Sequence, residues 1–174
     1  MKTTLRRHLF FLLTLLLLAA CGYHNPYIYS GPEKIIYVTH WQNRTNALQL
    51  DTKIYQSLTH WFQKSSSIKV TKEKANADLI LAGEIISIQL PSLSYGANNT
   101  TSQVKVTLTV RYILKEIKTD KIILEVPGET WTEDARVTRS GTATTDNEDQ
   151  ALTTIVDDLS EKIYIKALSK LSQM

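Results

Sequence analysis

The most constraining feature of this sequence is a stretch of alternating apolar and polar residues between positions 104 and 115. One set consists of Val104, Val106, Leu108, Val110, Tyr112 and Leu114, and the residues between them include Lys105, Thr107, Thr109, Arg111 and Lys115. Because successive side chains of a β-strand point to opposite faces, this period of two predicts a strand with one buried face and one hydrated face. The chain must therefore contain a sheet whose apolar side is covered by other elements.

Two segments with apolar residues at three- and four-residue spacing can supply that cover. The first predicts a helix from about 47 to 64, with an apolar stripe formed by Leu50, Ile54, Leu58, Trp61 and Phe62. The second predicts a helix that starts at a capping box of Thr145 and Glu148 and runs to Leu171. Packing both stripes on one face of a sheet is the simplest way to bury them.

Further strands are predicted where apolar and β-branched residues are concentrated, at 35–41, 68–71, 79–90 and 122–131. The polar segments 91–102 and 132–147 are expected to be loops. The predicted fold is therefore α+β, with two helices packed on a mixed sheet of four or five strands.

Local breaker residues refine this expectation at three places. Gly83 lies inside a predicted strand and is a candidate β-bulge. Pro127 and Gly128 favour an edge strand or a bulge, because proline cannot donate to a central ladder. The turn at 42–46 is expected to end in residues that cap the first helix.

The N-terminus has the layout of a secretory signal peptide, with a basic region, an apolar run from Leu9 to Ala20 and small residues before Cys21. The ending Leu18-Ala19-Ala20-Cys21 resembles the lipobox of bacterial lipoproteins. That resemblance implies cleavage before Cys21, a diacylglyceryl thioether on its sulfur and an acylated N-terminus. Apart from this covalent lipid, no cofactor is expected. Gly22 favours sorting to the outer membrane in the enterobacterial pattern that this sequence resembles.

The apolar run is too short for the alternative of a membrane-spanning helix. Such a helix needs about 20 apolar residues, whereas the run covers residues 9–20. An ordinary signal peptide that leaves a free cysteine stays open. The chain is thus divided into a lipoprotein signal peptide (1–20), a lipidated N-terminus with a tether (21–33) and a single domain (34–174).

Charge and cysteine content narrow the classes of function. The chain has 20 Lys+Arg and 17 Asp+Glu, but Lys2, Arg6 and Arg7 belong to the signal peptide, so the mature protein has a formal net charge of zero. Nucleic-acid binding therefore has no compositional support. Cys21 is the only cysteine, so once it is lipidated no thiol is left for disulfides, metal ligation or catalysis.

The titratable residues do not form a catalytic motif. His24, His40 and His60 lack metal-ligand spacing, and the two His-Trp pairs at 40–41 and 60–61 are interpreted as packing. Asp157 and Asp158 are neighbours on the second predicted helix and are interpreted as a solvated face. The protein is accordingly predicted not to be an enzyme, with an envelope hydrolase as the disfavoured alternative.

Several motifs carry a resemblance to a known family. Cys21-Gly22-Tyr23-His24 opens the mature chain, and the first predicted strand ends in the aromatic-x-Asn-x-Thr turn Trp41-Gln42-Asn43-Arg44-Thr45. Ala77-Asp78-Leu79-Ile80-Leu81-Ala82-Gly83 resembles the family's Ala-Asp-x-x-Leu-x-Gly strand start. Together with the final helix, these motifs resemble the lipopolysaccharide-assembly lipoprotein family LptE over essentially all of residues 21–174.

The resemblance implies an α/β sandwich with a mostly antiparallel sheet. It also implies an outer-membrane lipoprotein that plugs and helps assemble the LptD-type β-barrel and binds lipopolysaccharide on its way to the outer leaflet. Cations facing the lipid A phosphates would be Lys105 and Arg111 on the hydrated strand face and Arg136 and Arg139 in the polar loop. The alternatives are ordinary solubilising charges at these positions, and an accessory lipoprotein of another envelope system, such as a secretin pilot or a Tol-type protein.

Overall fold

The computed structural model describes residue 29 and residues 31–89, 103–136 and 141–174, and for residues 103, 104, 135, 136 and 141–148 it describes the backbone. The elements, in chain order, are β1 (Lys34–Val38), β2 (Gln42–Asn43), α1 (Leu50–Gln63), β3 (Ile68–Thr71), β4 (Leu79–Gln89), β5 (Gln103–Glu116), β6 (Ile122–Arg136) and α2 (Gly141–Leu171). A short 3₁₀ turn, Lys74–Asn76, lies between β3 and β4. Within these ranges, neither helix is long and apolar enough to cross a membrane.

The strands form one mixed sheet in the order β3-β1-β4-β5-β6, with the short β2 also paired to β4. Strand β1 is parallel to both β3 and β4, and β2 is parallel to β4. The longest ladders, β4 with β5 and β5 with β6, are antiparallel. The predicted α+β fold with a mixed, mostly antiparallel sheet is confirmed, and the two-residue β2 is the strand that the sequence analysis did not predict.

Strand β5 has the alternation expected from its sequence. Its even-numbered residues from Val106 to Leu114 are buried against the helices. Its odd-numbered residues, among them Lys105 and Arg111, lie on the opposite side, which we call the outer face of the sheet. Because β5 pairs on both edges, its inner side chains lie at the centre of the core.

Both helices pack on the inner face and bury one stripe each. The buried residues of α1 are Leu50, Ile54, Leu58 and Phe62. Helix α2 buries apolar residues from Ala151 to Leu171 in the same core. The two helices are also joined directly, since Nε1 of Trp61 donates a hydrogen bond to Asp157 Oδ1 at 2.8 Å. Asp157 is solvent-exposed as predicted, but it links the two helices as well.

The bulge predicted at Gly83 is wrong. Gly83 pairs regularly with Tyr112, and the register shift in this ladder lies between Ile85 and Ser87. Glycine is required at position 83 because the indole of Trp41 packs on it. A β-carbon built on Gly83 would lie 2.6 Å from Cδ2 of that ring, closer than side-chain atoms approach one another.

The turn before α1 also differs from the prediction. The residue at the N-cap is Gln49, with φ at 61° in the left-handed region, not a residue of the 42–46 turn. The Asn43 side chain instead stabilises the turn itself. Its Oδ1 accepts hydrogen bonds from the backbone N–H of Thr45 at 2.9 Å and from the Thr45 hydroxyl at 2.7 Å, and its amide donates to the carbonyl of Ala47 at 2.8 Å.

The loop predicted at 132–147 is wrong at both ends. Strand β6 continues to Arg136, and α2 begins at Gly141, so Thr145 is a helical residue and not the start of a capping box. The register shift in the β5–β6 ladder falls opposite Pro127 and Gly128, which confirms the predicted bulge on an edge strand. Alternating Thr, Trp and Glu residues extend β6 past this bulge as the edge of a ladder with β5. The loop predicted at 91–102 lies outside the described residues.

Candidate functional site

The predicted lipidation site and the predicted lipopolysaccharide contacts do not lie together in one place. Cys21 and Arg139 lie outside the described residues. Arg136 is the last residue of β6, and its position is known from its backbone. Lys105 and Arg111 both lie on the outer face of β5 and are exposed. They are six residues apart on one strand, or about 20 Å at the usual rise per residue, so they cannot form a single site together.

Lys105 and Arg136 are brought to the same corner of the sheet by the register of β5 and β6. Gln103 pairs with Arg136 and Lys105 pairs with Asp134, which puts all four positions on one face. Diagonal neighbours in an antiparallel pair are about 7–8 Å apart, within reach of long side chains. Asp134 directly opposite Lys105 partly balances the positive charge of this corner.

Arg111 belongs to an ionic cluster that we call the Glu84 cluster. The carboxylate of Glu84 on β4 forms ion pairs with Arg111 on β5 and with Arg44, which follows β2. Only 8% of the Glu84 side chain is exposed, whereas Arg44 and Arg111 are 56% and 53% exposed. One buried carboxylate therefore holds two guanidinium groups on the outer face, and the cluster has a net positive charge with N–H donors directed to solvent.

Arg44 was missed by the sequence analysis, although the turn that holds it was noted. Gln42 pairs with Glu84 in the β2–β4 ladder, and the backbone N–H of Arg44 donates to the carbonyl of Ile85 at 3.1 Å. These bonds fix the turn over β4 and bring Arg44 to the carboxylate. The partner of Arg44 is 40 positions later in the chain, so its local sequence does not predict the pairing.

A shallow groove of roughly 360 Å³ runs beside the Glu84 cluster on the outer face. Ala82 and Ile113 provide apolar surface in it, and Arg111 and Glu125 provide charge. Apolar surface next to exposed guanidinium groups suits an amphipathic anion, because the apolar part and the acidic head can be bound at adjacent positions.

A second ionic cluster, the Glu129 cluster, lies on the inner side between β6 and α2. Lys166 Nζ donates to both carboxylate oxygens of Glu129 at 3.0 Å, and Lys162 Nζ lies 3.0 Å from Oε1. The hydroxyl of Tyr112 donates to Oε2 at 2.9 Å. Burial raises the pKa of Glu129, but the hydrogen bonds from Lys166, Lys162 and Tyr112 outweigh it, so the pKa lies below its usual value.

The pKa values of the Glu129 cluster do not suit acid–base catalysis. Burial raises the pKa of Tyr112 far above its usual value, and its hydrogen bond to the Glu129 carboxylate adds to the shift. Tyr112 therefore keeps its proton and Glu129 stays ionised across the neutral range, so neither exchanges a proton readily near pH 7. The arrangement fastens α2 to the edge of the sheet.

Asp78, from the Ala-Asp motif, connects neighbouring strands through hydrogen bonds. Its Oδ2 accepts a hydrogen bond from the backbone N–H of Ile35 at 3.0 Å, and its backbone N–H donates to the carbonyl of Ile35 at 2.8 Å. The bond from Ile35 is the main reason that the pKa of Asp78 is lowered, and Lys118 contributes further. Asp78 therefore joins the start of β4 to β1 and to the turn between β5 and β6.

The pair His40-Trp41 takes part in packing, as predicted, whereas in the second pair Trp61 packs against the core and His60 is exposed. His40 stacks on Tyr55 with ring centroids 4.2 Å apart, and Trp41 stacks on Tyr112 at 6.1 Å. His60 lines a polar groove between the helices. Among residues 31–89, 103–136 and 141–174, no group of three or more His, Cys, Asp or Glu side chains could hold a metal ion.

Comparison with solved structures identifies the class of fold. The chain is similar to CT253 from Chlamydia trachomatis (TM-score 0.55, 9% identity, 82% of this chain and 99% of that chain). It is also similar to lipoprotein B from Nitrosomonas europaea (TM-score 0.55, 12% identity, 87% and 94%) and to XCC0632 from Xanthomonas campestris (TM-score 0.53, 13% identity, 83% and 92%). At these identities the likeness defines a shared fold, two helices on a mixed sheet.

The family follows from the sequence. The model of the LptE family, described as lipopolysaccharide-assembly, matches residues 34–167, and the chain therefore belongs to this family. The match includes the described sheet and most of α2. LptE is a family of non-enzymatic accessory lipoproteins of the outer membrane. No curated protein matches the sequence.

Proposed function

We propose that this protein is anchored in the outer membrane by lipid on Cys21, plugs and helps assemble an LptD-type β-barrel, and binds lipopolysaccharide during its delivery to the outer leaflet. The observation that carries the proposal is the family match over residues 34–167, which spans all six strands, α1 and most of α2.

The chemistry of the exposed surface supports the role of a plug. The outer face of β5 presents threonine and charged side chains, and Thr109 hydrogen-bonds Thr130 of β6 across this face at 3.1 Å. The predicted mature chain has no net charge. Lumens of barrels of this kind are polar and hydrated. The polar part of this face around Thr109 and Thr130 can lie against such a wall at little desolvation cost.

For lipopolysaccharide, the proposal keeps Lys105, Arg111, Arg136 and Arg139 as contacts and adds Arg44. The Glu84 cluster is the strongest of these, because its two guanidinium groups are held in place by a buried carboxylate and lie beside the apolar groove. A lipid A phosphate would accept hydrogen bonds from both arginines, while an acyl chain would contact Ala82 and Ile113.

The partner is tested by purification of the tagged, lipidated protein in mild detergent and identification of co-purifying proteins by mass spectrometry. A stoichiometric large barrel protein is the expected result. Recovery of a secretin or a Tol component would contradict the plug and support an accessory role in another envelope system. A Cys21→Ser variant, analysed in parallel for incorporation of labelled palmitate, should lose the label if Cys21 is the lipidation site.

Ligand binding is tested on the same preparation with purified lipid A. An Arg44→Ala Arg111→Ala double variant should bind lipid A at least about tenfold more weakly, since even one charge-assisted hydrogen bond contributes roughly 1.5–3 kcal/mol in a favourable site. The matched control is Lys53→Ala, at a partly exposed lysine of α1 that pairs with Asp149, far from the outer face. Equal affinity of the double variant and the control would remove the Glu84 cluster from the binding site.

A further inference from the structure

Tyr29 fixes the point at which the N-terminal segment joins the domain. It is 4% exposed and belongs to the apolar core, although it precedes β1 by five residues. A cavity of roughly 610 Å³ at this place is lined by Tyr29, Pro32 and Lys34 together with Leu171 and Met174 from the end of α2. Tyr29 is thus held next to the C-terminal end of α2.

Several segments meet at this end of the molecule. The backbone N–H of Lys34 donates to Ser67 at the start of β3, and Lys34 Nζ lies 3.4 Å from Glu116 at the end of β5. We call the surface formed by residues 31–34, 116–121 and 168–174 the anchor-side end. The opposite end of the domain carries the start of α2 and the ends of β4 and β6.

The distance between the anchor and this end is limited by the chain. Eight residue steps separate Cys21 from Tyr29, so a fully extended segment spans at most about 29 Å. Helix α2 has 31 residues and is therefore about 46 Å long at 1.5 Å per residue. A lipid on Cys21 must stay near the anchor-side end, whereas the start of α2 can lie well beyond the reach of the tether.

The charge of the anchor-side end also suits a phospholipid surface. Its three acidic residues, Glu33, Glu116 and Asp120, are each paired with a lysine. Lys118 is paired with Asp78, and Lys121 and Lys170 are exposed there and add positive charge. Lysines within a Debye length of an anionic leaflet are attracted to it, so this end is the favourable one to face the headgroups.

We propose that, while the lipidated protein is not inside a barrel, the anchor-side end faces the phospholipid headgroups of the membrane that holds Cys21, so that the domain stands on this end with the start of α2 directed away. The inference rests on the proposed lipidation of Cys21 and goes further by giving the orientation of the domain and the surface that meets the lipid. The occupant of this surface is the phosphate-bearing headgroup layer, with phosphatidylglycerol as its anionic component.

The test uses the full-length lipidated protein in vesicles of phosphatidylethanolamine and phosphatidylglycerol. Since Cys21 is the only native cysteine, two exposed positions serve for labelling: Gln173→Cys just beyond the end of α2, and Gln150→Cys nine residues after its start. Energy transfer from the label to an acceptor on the lipid headgroups should be at least about threefold more efficient at position 173, because the two positions are about 30 Å apart. Equal transfer, from a domain lying flat, or higher transfer at position 150 would overturn the orientation.

The contribution of charge is tested by Lys121→Gln Lys170→Gln, with Lys53→Gln Lys72→Gln as the control that removes two lysines elsewhere. The first variant should lower the ratio of transfer between positions 173 and 150 toward one, and the control should leave the ratio unchanged. An equal change in both variants would contradict a lipid-facing lysine surface.

Flotation of the same vesicles separates this inference from the proposed function. Protein that floats, while the Cys21→Ser variant does not, establishes the anchor, and the transfer ratio then decides the orientation alone. Protein that does not float contradicts the anchor and overturns the orientation with it. Capture of an LptD-type barrel is measured separately and does not depend on either result.

Discussion

Two carboxylates of this protein, Glu84 and Glu129, are each held by two cations, and the difference between the clusters separates a structural tie from a candidate binding site. The partners of Glu129 are Lys162 and Lys166, one helical turn apart on α2, with the hydroxyl of Tyr112 as a third donor. The partners of Glu84 are arginines from two segments far apart in the chain.

The two clusters use their donors differently. In the Glu129 cluster, Lys166 donates to both carboxylate oxygens and to Tyr112, so its donors are used within the protein. In the Glu84 cluster, each guanidinium has five N–H donors and more than half of its surface exposed. We therefore expect the Glu129 cluster to affect stability alone, and the Glu84 cluster to affect both stability and lipid A binding.

The largest expected effect is that of Glu84→Gln on stability. The change leaves two guanidinium groups close together without their counter-ion, and we expect the free energy of unfolding to fall by about 2–3 kcal/mol, somewhat less than for a fully buried pair. Urea unfolding followed by tryptophan fluorescence measures the loss. Lipid A affinity should fall less than in the Arg44→Ala Arg111→Ala variant, because both arginines remain but lose the carboxylate that positions them.

The matched control for this change is Glu125→Gln, an exposed carboxylate on the same face and beside the same groove. We expect it to change the free energy of unfolding by less than about 0.5 kcal/mol. A Glu84→Gln protein as stable as this control would mean that the carboxylate does not hold the arginines in place.

A smaller loss is expected for Glu129→Gln. Lys166 loses the charge of its partner while it is one-third exposed, and we expect the free energy of unfolding to fall by about 1–2 kcal/mol. The same urea titration measures it, with Glu133→Gln on the same strand as the control. If Glu129→Gln also weakened lipid A binding, the distinction between the two clusters would be lost.

The next effect tests the geometry of the arginines and not their charge. Arg44→Lys keeps a cation at the Glu84 cluster but removes the planar fork that can bind two oxygens at once, and we expect lipid A affinity to fall about threefold to fivefold. Titration calorimetry with purified lipid A measures the change. Lys105→Arg is the comparison variant, because it adds such a fork at the other corner of the outer face. An unaltered lipid A affinity in Arg44→Lys would mean that the positive charge of Arg44, and not its planar shape, attracts the ligand.

The sequence predicted what is local in this fold and missed what depends on distant partners. The alternation in β5 and the apolar spacing in both helices are properties of neighbouring residues, and the structure confirms them. Gly83 was misinterpreted as a bulge because its requirement comes from Trp41, 42 positions earlier in the chain and packed on it by the tertiary fold.

The candidate site was predictable to a similar extent. Lys105 and Arg111 were correctly placed on the outer face, since alternation alone decides which face a strand residue occupies. The pairing of both Arg111 and Arg44 with Glu84 follows from strand register, which is decided by packing across three strands. The start of α2 was missed because residues 141–147 are mostly polar and begin with Gly141, an unfavourable helix residue.

The smallest expected effect is on the pH dependence of stability, and it isolates the contribution of Glu129 from that of the other acidic residues. The pKa of Glu129 is lower in the folded protein than in the unfolded chain, so the native state holds its proton less readily than the unfolded state does. The stability that Glu129 contributes is present above its unfolded pKa, about 4.3, and is lost as the pH falls through the folded value. The free energy of unfolding should therefore decrease below that pH, and more gently in Glu129→Gln than in the wild-type protein. The pKa of Asp78 is also lowered, so the free energy of unfolding of both proteins decreases at acidic pH for this second reason. Parallel pH curves for the two proteins would mean that the lysines around Glu129 do not stabilise its ionised form.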